Sequence, residues 1–268
     1  MKRQRLTFIL VFLCGLQMAF GQNSQLENPE SGYLKSYLTD TRDLVVQPAK
    51  WKGKEWFLLG GAALTFTVIH VNDLDIQVTF QKNRNENTEW VSKYIAEPIG
   101  SGLYTLPALG LLYGSGWLFD KPKNRHVALQ ATKAWLLTGG ATVILKQLTH
   151  RQRPNEGDYP DPYYWLGPYA FTSDNTSFPS GHTSTAFAVA TVIAYSYNSW
   201  WIKVSSYSLA TLAGLSRIHD NKHWASDVFV GALLGWWVGQ SISKMHPAVD
   251  WGVSAGHDHV TGTMVWKF

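Results

Sequence analysis

Three short stretches carry the residues whose types and spacing could do chemistry. The first is KQLTHRQRP, with Lys146, Arg153 and Pro154; the second is PSGH at 179–182; the third is SRIHDNKHWASD, with Ser216, Arg217, His223 and Asp227. Together they supply three fixed cations, two histidines, a carboxylate and a Ser-Gly turn ahead of an apolar run, which suits a small tetrahedral oxyanion. Arg153 and Arg217 offer planar forks for oxyanion oxygens, and Lys146 adds a point charge. Ser180 is expected to cap the helix that follows, with the free N–H groups of that helix facing an anion, and Gly181 allows close backbone approach. His223 and Asp227 stand four residues apart, so on a helix they share a face. Asp227 then holds one ring nitrogen as N–H and leaves the other free to attack. His182, at the other helix mouth, is left to protonate the departing oxygen.

The three stretches match, at eleven specified positions, the pattern K-x6-RP, PSGH, SR-x5-H-x3-D. On these residues the chain resembles the type 2 phosphatidic acid phosphatase (PAP2) and vanadate haloperoxidase superfamily, in its phosphatase branch. The resemblance covers about residues 55 to 243. It implies a helical bundle and a covalent phosphohistidine route, with His223 as nucleophile, Asp227 as its orienting partner and His182 as general acid. Lys146, Arg153, Ser180, Gly181 and Arg217 would hold the phosphoryl group. No metal and no cofactor are implied, and the stretches lack a carboxylate cluster suited to magnesium. A haloperoxidase would use a similar pocket for vanadate, but the chain is short for that group.

The elements that must position these residues are apolar. Uncharged runs extend from Trp56 to Asn72, Pro98 to Phe119, Thr183 to Ile202 and Val228 to Ser243, with shorter ones between Lys133 and Lys146 and between Lys203 and Arg217. Alternating patterns are scarce and the lengths suit helices, so the expected fold is all-α, a bundle of five or six core helices. Two runs are long enough to cross a bilayer, and Trp56, Trp117, Trp200 and Trp201 sit near segment ends as interfacial anchors would. Against spanning stand a mean hydropathy of −0.13 and two runs too short to cross. Six full spans after a cleaved signal would also put the motif residues in the cytoplasm. The site is therefore expected on the outer side, and full spanning is not.

Residues 1–21 have three cations, an apolar core and small residues Ala19 and Gly21, the pattern of a cleaved secretory signal. The expected organisation is a signal at 1–21, a polar arm or surface helix at 22–54, the phosphatase-like domain at 55–245 and a tail at 246–268. The 268-residue chain has 23 Lys and Arg against 19 Asp and Glu; without Lys2, Arg3 and Arg5 the count is 20 against 19, a balance of +1. No basic stripe is left to neutralise a run of phosphates, so nucleic acid is not an expected partner. The single cysteine, Cys14, lies in the signal, so the exported chain has neither disulfides nor a thiolate nucleophile.

The 24 residues between the first two stretches hold seven aromatics and read as a lid or as an ordered wall. Tyr163, Tyr164 and Trp165 are candidate contacts for a leaving group. Near the C-terminus Met264, Trp266 and Phe268 alternate, which fits an edge strand or packed tail. The expected activity is removal of phosphate from a lipid phosphate or diphosphate at the outer face of a bacterial membrane, with a soluble acid phosphatase as the alternative. No protein partner is inferable from the residues.

Overall fold

The computed structural model describes residues 32–268 apart from 158, 169–171, 173, 249, 257–258 and 266–268, with the backbone alone for 250–256 and 259–265. The signal expected at 1–21, and Trp266 and Phe268 of the tail, lie outside the described residues. Among the described residues ten α-helices follow in order: α1 Tyr33–Val46, α2 Gly53–Val71, α3 Asp73–Lys82, α4 Glu86–Val91, α5 Glu97–Gly100, α6 Gly102–Leu118, α7 Pro122–Thr149, α8 Gly181–Ser196, α9 Trp200–His219 and α10 Ala225–Met245. A π-helical segment, Ser92–Ala96, joins α4 to α5. The helical bundle expected from the run lengths is the observed architecture. After α10 comes an antiparallel hairpin, β1 Asp250–Gly256 with β2 His259–Val265, in the register Asp250 opposite Val265 and Gly256 opposite His259.

Two of the long apolar runs are not single helices. Ser101 is extended and separates α5 from α6, and the 183–202 run breaks at Tyr197, whose extended backbone ends α8 before α9 begins at Trp200. Among the described residues no single helix is long and apolar enough to cross a membrane. The pair α2 and α3 passes that test together, bent by 56° between Val71 and Asp73.

Helix α8 is central, packed against α7, α9 and α10. Its residues are small: Ala186, Ala188, Ala190, Thr191 and Ala194 are all buried. The facing side of α10 carries glycines at four-residue spacing, which on a helix form one stripe. A Cβ at Gly235 would lie 2.0 Å from the Ser184 carbonyl oxygen, and one at Gly239 would lie 2.6 Å from that of Ala188. The two backbones therefore approach closely, and this crossing brings the start of α8, with Ser180 and His182, beside the start of α10, with Asp227.

Polarity is inverted relative to a water-soluble bundle. Lys133, Arg151, Asp73, Ser177, Thr183 and Asp227 are fully buried, whereas Phe57, Leu64, Leu103, Leu118 and Trp201 are mostly exposed. Helix α2 buries no residue at all. Contiguous exposed apolar surface of this kind marks a face for lipid or another apolar partner.

Residues 22–54 were expected as an arm or surface helix. Their described part holds α1, fastened by a buried ion pair: Lys133 Nζ donates to Asp40 Oδ2 at 2.7 Å, and His246 Nε2 stands 2.8 Å from the same oxygen.

Candidate functional site

The first cation-bearing stretch starts at the end of α7. His150 adopts the left-handed conformation (φ 42°) that stops the helix, and its buried ring places Nδ1 2.9 Å from the Gly167 carbonyl. Lys146, one turn earlier, directs Nζ to the Thr176 carbonyl, with Ser177 O at 3.5 Å. Beyond the helix end Arg151 and Arg153 take different partners. Arg153 donates to the Thr176 carbonyl and hydroxyl at 3.1 and 3.2 Å and to the Lys222 carbonyl at 3.2 Å.

The second stretch opens α8. Ser180 is the N-cap, but its side chain makes no capping bond to a backbone N–H; its hydroxyl accepts from Thr183 Oγ1 at 2.9 Å, and its own N–H donates to the Asp227 carbonyl at 3.0 Å. The capping expected from the sequence is thus replaced by a contact that ties α8 to α10. A Cβ on Gly181 would meet Thr142 Cγ2 at 3.7 Å and Lys146 Cε at 4.0 Å, so Gly181 lies against the lysine stem.

The third stretch departs from its expected geometry. His223 precedes α10 rather than lying on it, while Asp227 sits in the first turn and accepts from the Trp224 N–H at 2.9 Å. The pair meets nonetheless, His223 Nδ1 standing 3.7 Å from Asp227 Oδ2. Ser177 Oγ lies between them, 3.5 Å from His223 Nδ1 and donating to Asp227 Oδ2 at 2.5 Å. Nδ1 is therefore the nitrogen turned to the carboxylate, and Nε2 is turned away from it. Arg217 does not pair with Asp227. It donates to Asp220 Oδ2 at 2.7 Å and lies 3.6 Å from Glu97, and His219 beside it contacts Asp220 and Thr88.

The charges act on one another. Burial is the main reason that the His223 pKa falls to about 3, with Lys146 and Arg153 adding to the fall and Asp227 opposing it. His182 falls to about 4, again by burial first and then through Arg217, Lys146 and Arg153. Lys146 falls to about 7, by burial and the neighbouring Arg153. Burial would raise the Asp227 pKa, but Arg151, His223 and Ser177 hold it well below the usual carboxylate range. Lys146 and Arg153 thus act on both histidines, so the three stretches converge on one electropositive centre. Such a set can bind a phosphoryl group, present a neutral imidazole nitrogen to it, and retain a second histidine for proton transfer.

Sequence reasoning missed Arg151, Ser177 and Asp73. Arg151 is fully buried and donates to Asp227 Oδ1 at 2.5 Å and to Asp73 Oδ2 at 2.7 Å. Its signal was present as a third cation two residues before Arg153, but its partner Asp73 is 78 positions away and nothing local links them.

The described part of the aromatic segment forms a wall. Ser177 N–H donates to Arg151 O, Gln152 N–H to Tyr164 O, and Leu166 N–H to His150 O. Trp165 stacks on the Arg151 guanidinium at 4.7 Å and edges against Phe178 and His70. Tyr163 and Tyr164 are exposed, Tyr163 packing one edge on His70.

Residues 128–251 match the sequence model of the PAP2 superfamily. Over 66 residues, 24% of this chain and 15% of the relative, the sequence is 52% identical to a lipid A 1-phosphatase of Porphyromonas gingivalis. Over 143 residues, 41% of each protein, it is 35% identical to lipid phosphate phosphatase 1 of Arabidopsis thaliana. The chain spans less than half the length of these curated relatives. The fold is similar to that of a transmembrane PAP2-type phosphatidylglycerolphosphate phosphatase from Bacillus subtilis, with a TM-score of 0.50 at 19% identity over 82% of this chain and 96% of that one.

Proposed function

We propose that this chain, which belongs to the PAP2 superfamily, is a membrane-associated phosphohydrolase that removes phosphate from a lipid phosphate or diphosphate through a phosphohistidine on His223. The observation that carries the reading is the environment of His223: a buried imidazole with Nδ1 turned to Asp227 and Ser177, and with Lys146 and Arg153 close enough to depress its pKa. In the first step Nε2 of His223 attacks phosphorus, the bond from phosphorus to the leaving oxygen breaks, and His182 donates a proton to that oxygen. Asp227 stabilises the imidazolium that forms. In the second step water attacks the phosphohistidine, His182 takes a proton from it, and inorganic phosphate leaves with His223 neutral again. Lys146, Arg153 and Arg217, with the N–H of Gly181, bind the phosphoryl oxygens throughout, while the Ser180 N–H stays on the Asp227 carbonyl.

His182 is neutral in the free site, held down by burial and three cations. A bound phosphate anion offsets those cations and raises the His182 pKa toward the protonated form that the first step needs. The exposed apolar surfaces of α2, α6 and α9 support a lipid substrate reached from the membrane. The residue pattern at 1–21 supports export, with the site on the outer side of the membrane.

The test is phosphate release by the purified chain in mixed micelles with EDTA present. Phosphatidic acid and isoprenyl diphosphate are compared with a water-soluble aryl phosphate, and His223→Ala serves as control. Preferential release from the lipids, lost in His223→Ala, and an acid-labile phosphoenzyme in the intact chain are the expected results. Equal turnover of the soluble ester would remove the lipid assignment, and turnover by His223→Ala would remove the phosphohistidine.

A further inference from the structure

We propose that Asp73 and Arg151 form a positioning unit for the nucleophile, setting the orientation and hydrogen-bonding strength of Asp227 from the bend between α2 and α3. The inference rests on the reading of His223 as nucleophile. Arg151 makes no contact with solvent and spends each side of its fork on a different carboxylate, Nη1 on Asp227 Oδ1 at 2.5 Å and Nη2 on Asp73 Oδ2 at 2.7 Å. Ser226 closes the arrangement: its N–H donates to Asp73 Oδ1 at 2.9 Å, its hydroxyl meets Asp73 Oδ2, and Arg151 Nη1 donates to its Oγ at 2.7 Å. His70 Nδ1 lies 3.0 Å from Arg151 Nη2 and 3.2 Å from Asp73 Oδ2. The Pro162 carbonyl accepts from Nε and Nη2, and Trp165 and Trp224 flank the guanidinium.

Read along the contacts, the charges alternate: Asp73 negative, Arg151 positive, Asp227 negative, then an imidazole that becomes positive when it is phosphorylated. Arg151 paired with Asp227 alone would neutralise that carboxylate and weaken its hold on His223 Nδ1. Asp73 takes half of the guanidinium and so leaves Asp227 a stronger acceptor. Both carboxylates are buried, which removes the water that would otherwise screen the coupling. Asp73 is the first residue of α3, directly after the bend that follows the exposed apolar helix α2. The orientation of Asp227 is thereby fixed to a bend whose preceding helix buries no residue.

Asp73→Asn is the decisive variant because it is isosteric and removes one charge. It is assayed as the full chain with an aryl phosphate, alongside thermal unfolding and 15N-histidine NMR of the His223 ring, assigned by its loss in His223→Ala. The expected result is a fall in kcat of about 10- to 100-fold with KM unchanged, together with a smaller population of the Nδ1–H tautomer of His223. Arg151→Gln, which leaves Asp227 as the unopposed anion, moves the acid limb of kcat/KM to higher pH. Wild-type kcat in Asp73→Asn, or a loss of kcat with an unchanged His223 ring signature, overturns the proposal. Should Asp73→Asn not fold, Ser226→Ala, which removes the hydroxyl contacts to Asp73 and Arg151 without touching a charge, is read by kcat and the His223 ring signature and must move both in the same direction. Retained turnover in His223→Ala would instead sink the nucleophile reading beneath it, which separates the two failures.

Discussion

Replacing Lys146 by Arg should change the pH range over which the site holds a phosphate. Lys146 lies one turn from the end of α7 with its ammonium among the Thr176 and Ser177 carbonyls, and burial together with Arg153 lowers its pKa from 10.5 to about 7. The sign follows directly: a lysine so lowered keeps its charge below about pH 7 and loses it as the pH rises through that value. A phosphate monoester is already a dianion there, since its second pKa is about 6. Binding above pH 7 must therefore return the proton to Lys146, and each further pH unit weakens binding tenfold, or about 1.4 kcal/mol. Between pH 7 and pH 9 kcat/KM should fall about 100-fold with a slope of −1, entirely through KM, because the bound dianion keeps the lysine charged once the complex has formed. Arginine holds its proton far above this range. In Lys146→Arg the limb should vanish up to pH 9, whatever the absolute rate. The assay is phosphate release from an aryl phosphate at saturating and limiting concentrations, from pH 5 to 9. A basic limb of equal position in Lys146→Arg, or one that appears in kcat, would refute the assignment of this titration to Lys146.

Three further outcomes are expected. His182→Ala should lower kcat by about 10²- to 10⁴-fold on alkyl phosphates and far less on aryl phosphates whose leaving group needs no proton, as initial rates across a leaving-group series would show. Tyr163→Ala and Tyr164→Ala should change the preference among lipid substrates while sparing a small aryl phosphate. Trp165→Ala, by contrast, should lower turnover of all substrates because that ring stacks on Arg151; competition assays with paired substrates distinguish the two patterns. Gly235→Ala should destabilise the fold by about 1–3 kcal/mol and lower the unfolding temperature. Its Cβ would lie 2.0 Å from a backbone oxygen of α8 that has no freedom to give way.

Much of the site was legible because its motif residues lie in short stretches with fixed spacing. Lys146, Arg153, His182, Arg217, His223 and Asp227 could be read as a set, and the structure gathers them around one electropositive centre. Their local geometry was less legible. A separation of four residues suggested that His223 and Asp227 share a helical face, yet α10 begins at Ala225 and Asp227 binds the Trp224 N–H instead. Ser180 looked like a side-chain cap, but Thr183 reaches its hydroxyl first. Both alternatives are themselves local contacts at a separation of three residues, which compete with the expected ones. The helical class followed from run lengths; the break at Tyr197 did not, because no proline or glycine marks it, whereas Gly100 and Gly102 around Ser101 were a turn signal that the length of the apolar run outweighed. Asp73 was hidden most completely. By sequence it is an acidic residue opening a helix, and only the fold turns it toward Arg151.

The inverted polarity of the bundle and the burial of its chemistry have a common origin. With apolar side chains outward on α2, α6 and α9, the interior is filled by small residues and by charged groups that must find partners within the chain. Two such groups of partners lie along α7. Lys133 with Asp40 and His246 holds α1, and about 20 Å further along the helix, by its rise of 1.5 Å per residue, Lys146 serves the site. In water each buried charge would be a liability, since an aqueous surface is close at hand and burial has to be compensated in full. Beside lipid the comparison changes, because the alternative to an internal partner is an apolar medium that offers none. Removing Asp40 should therefore release α1 from Lys133 in detergent without reaching the phosphate site. Asp40→Asn is expected to retain wild-type KM for an aryl phosphate while protease cleavage within residues 33–46 accelerates. A raised KM in that variant would mean that the two polar groups are coupled through α7 rather than independent.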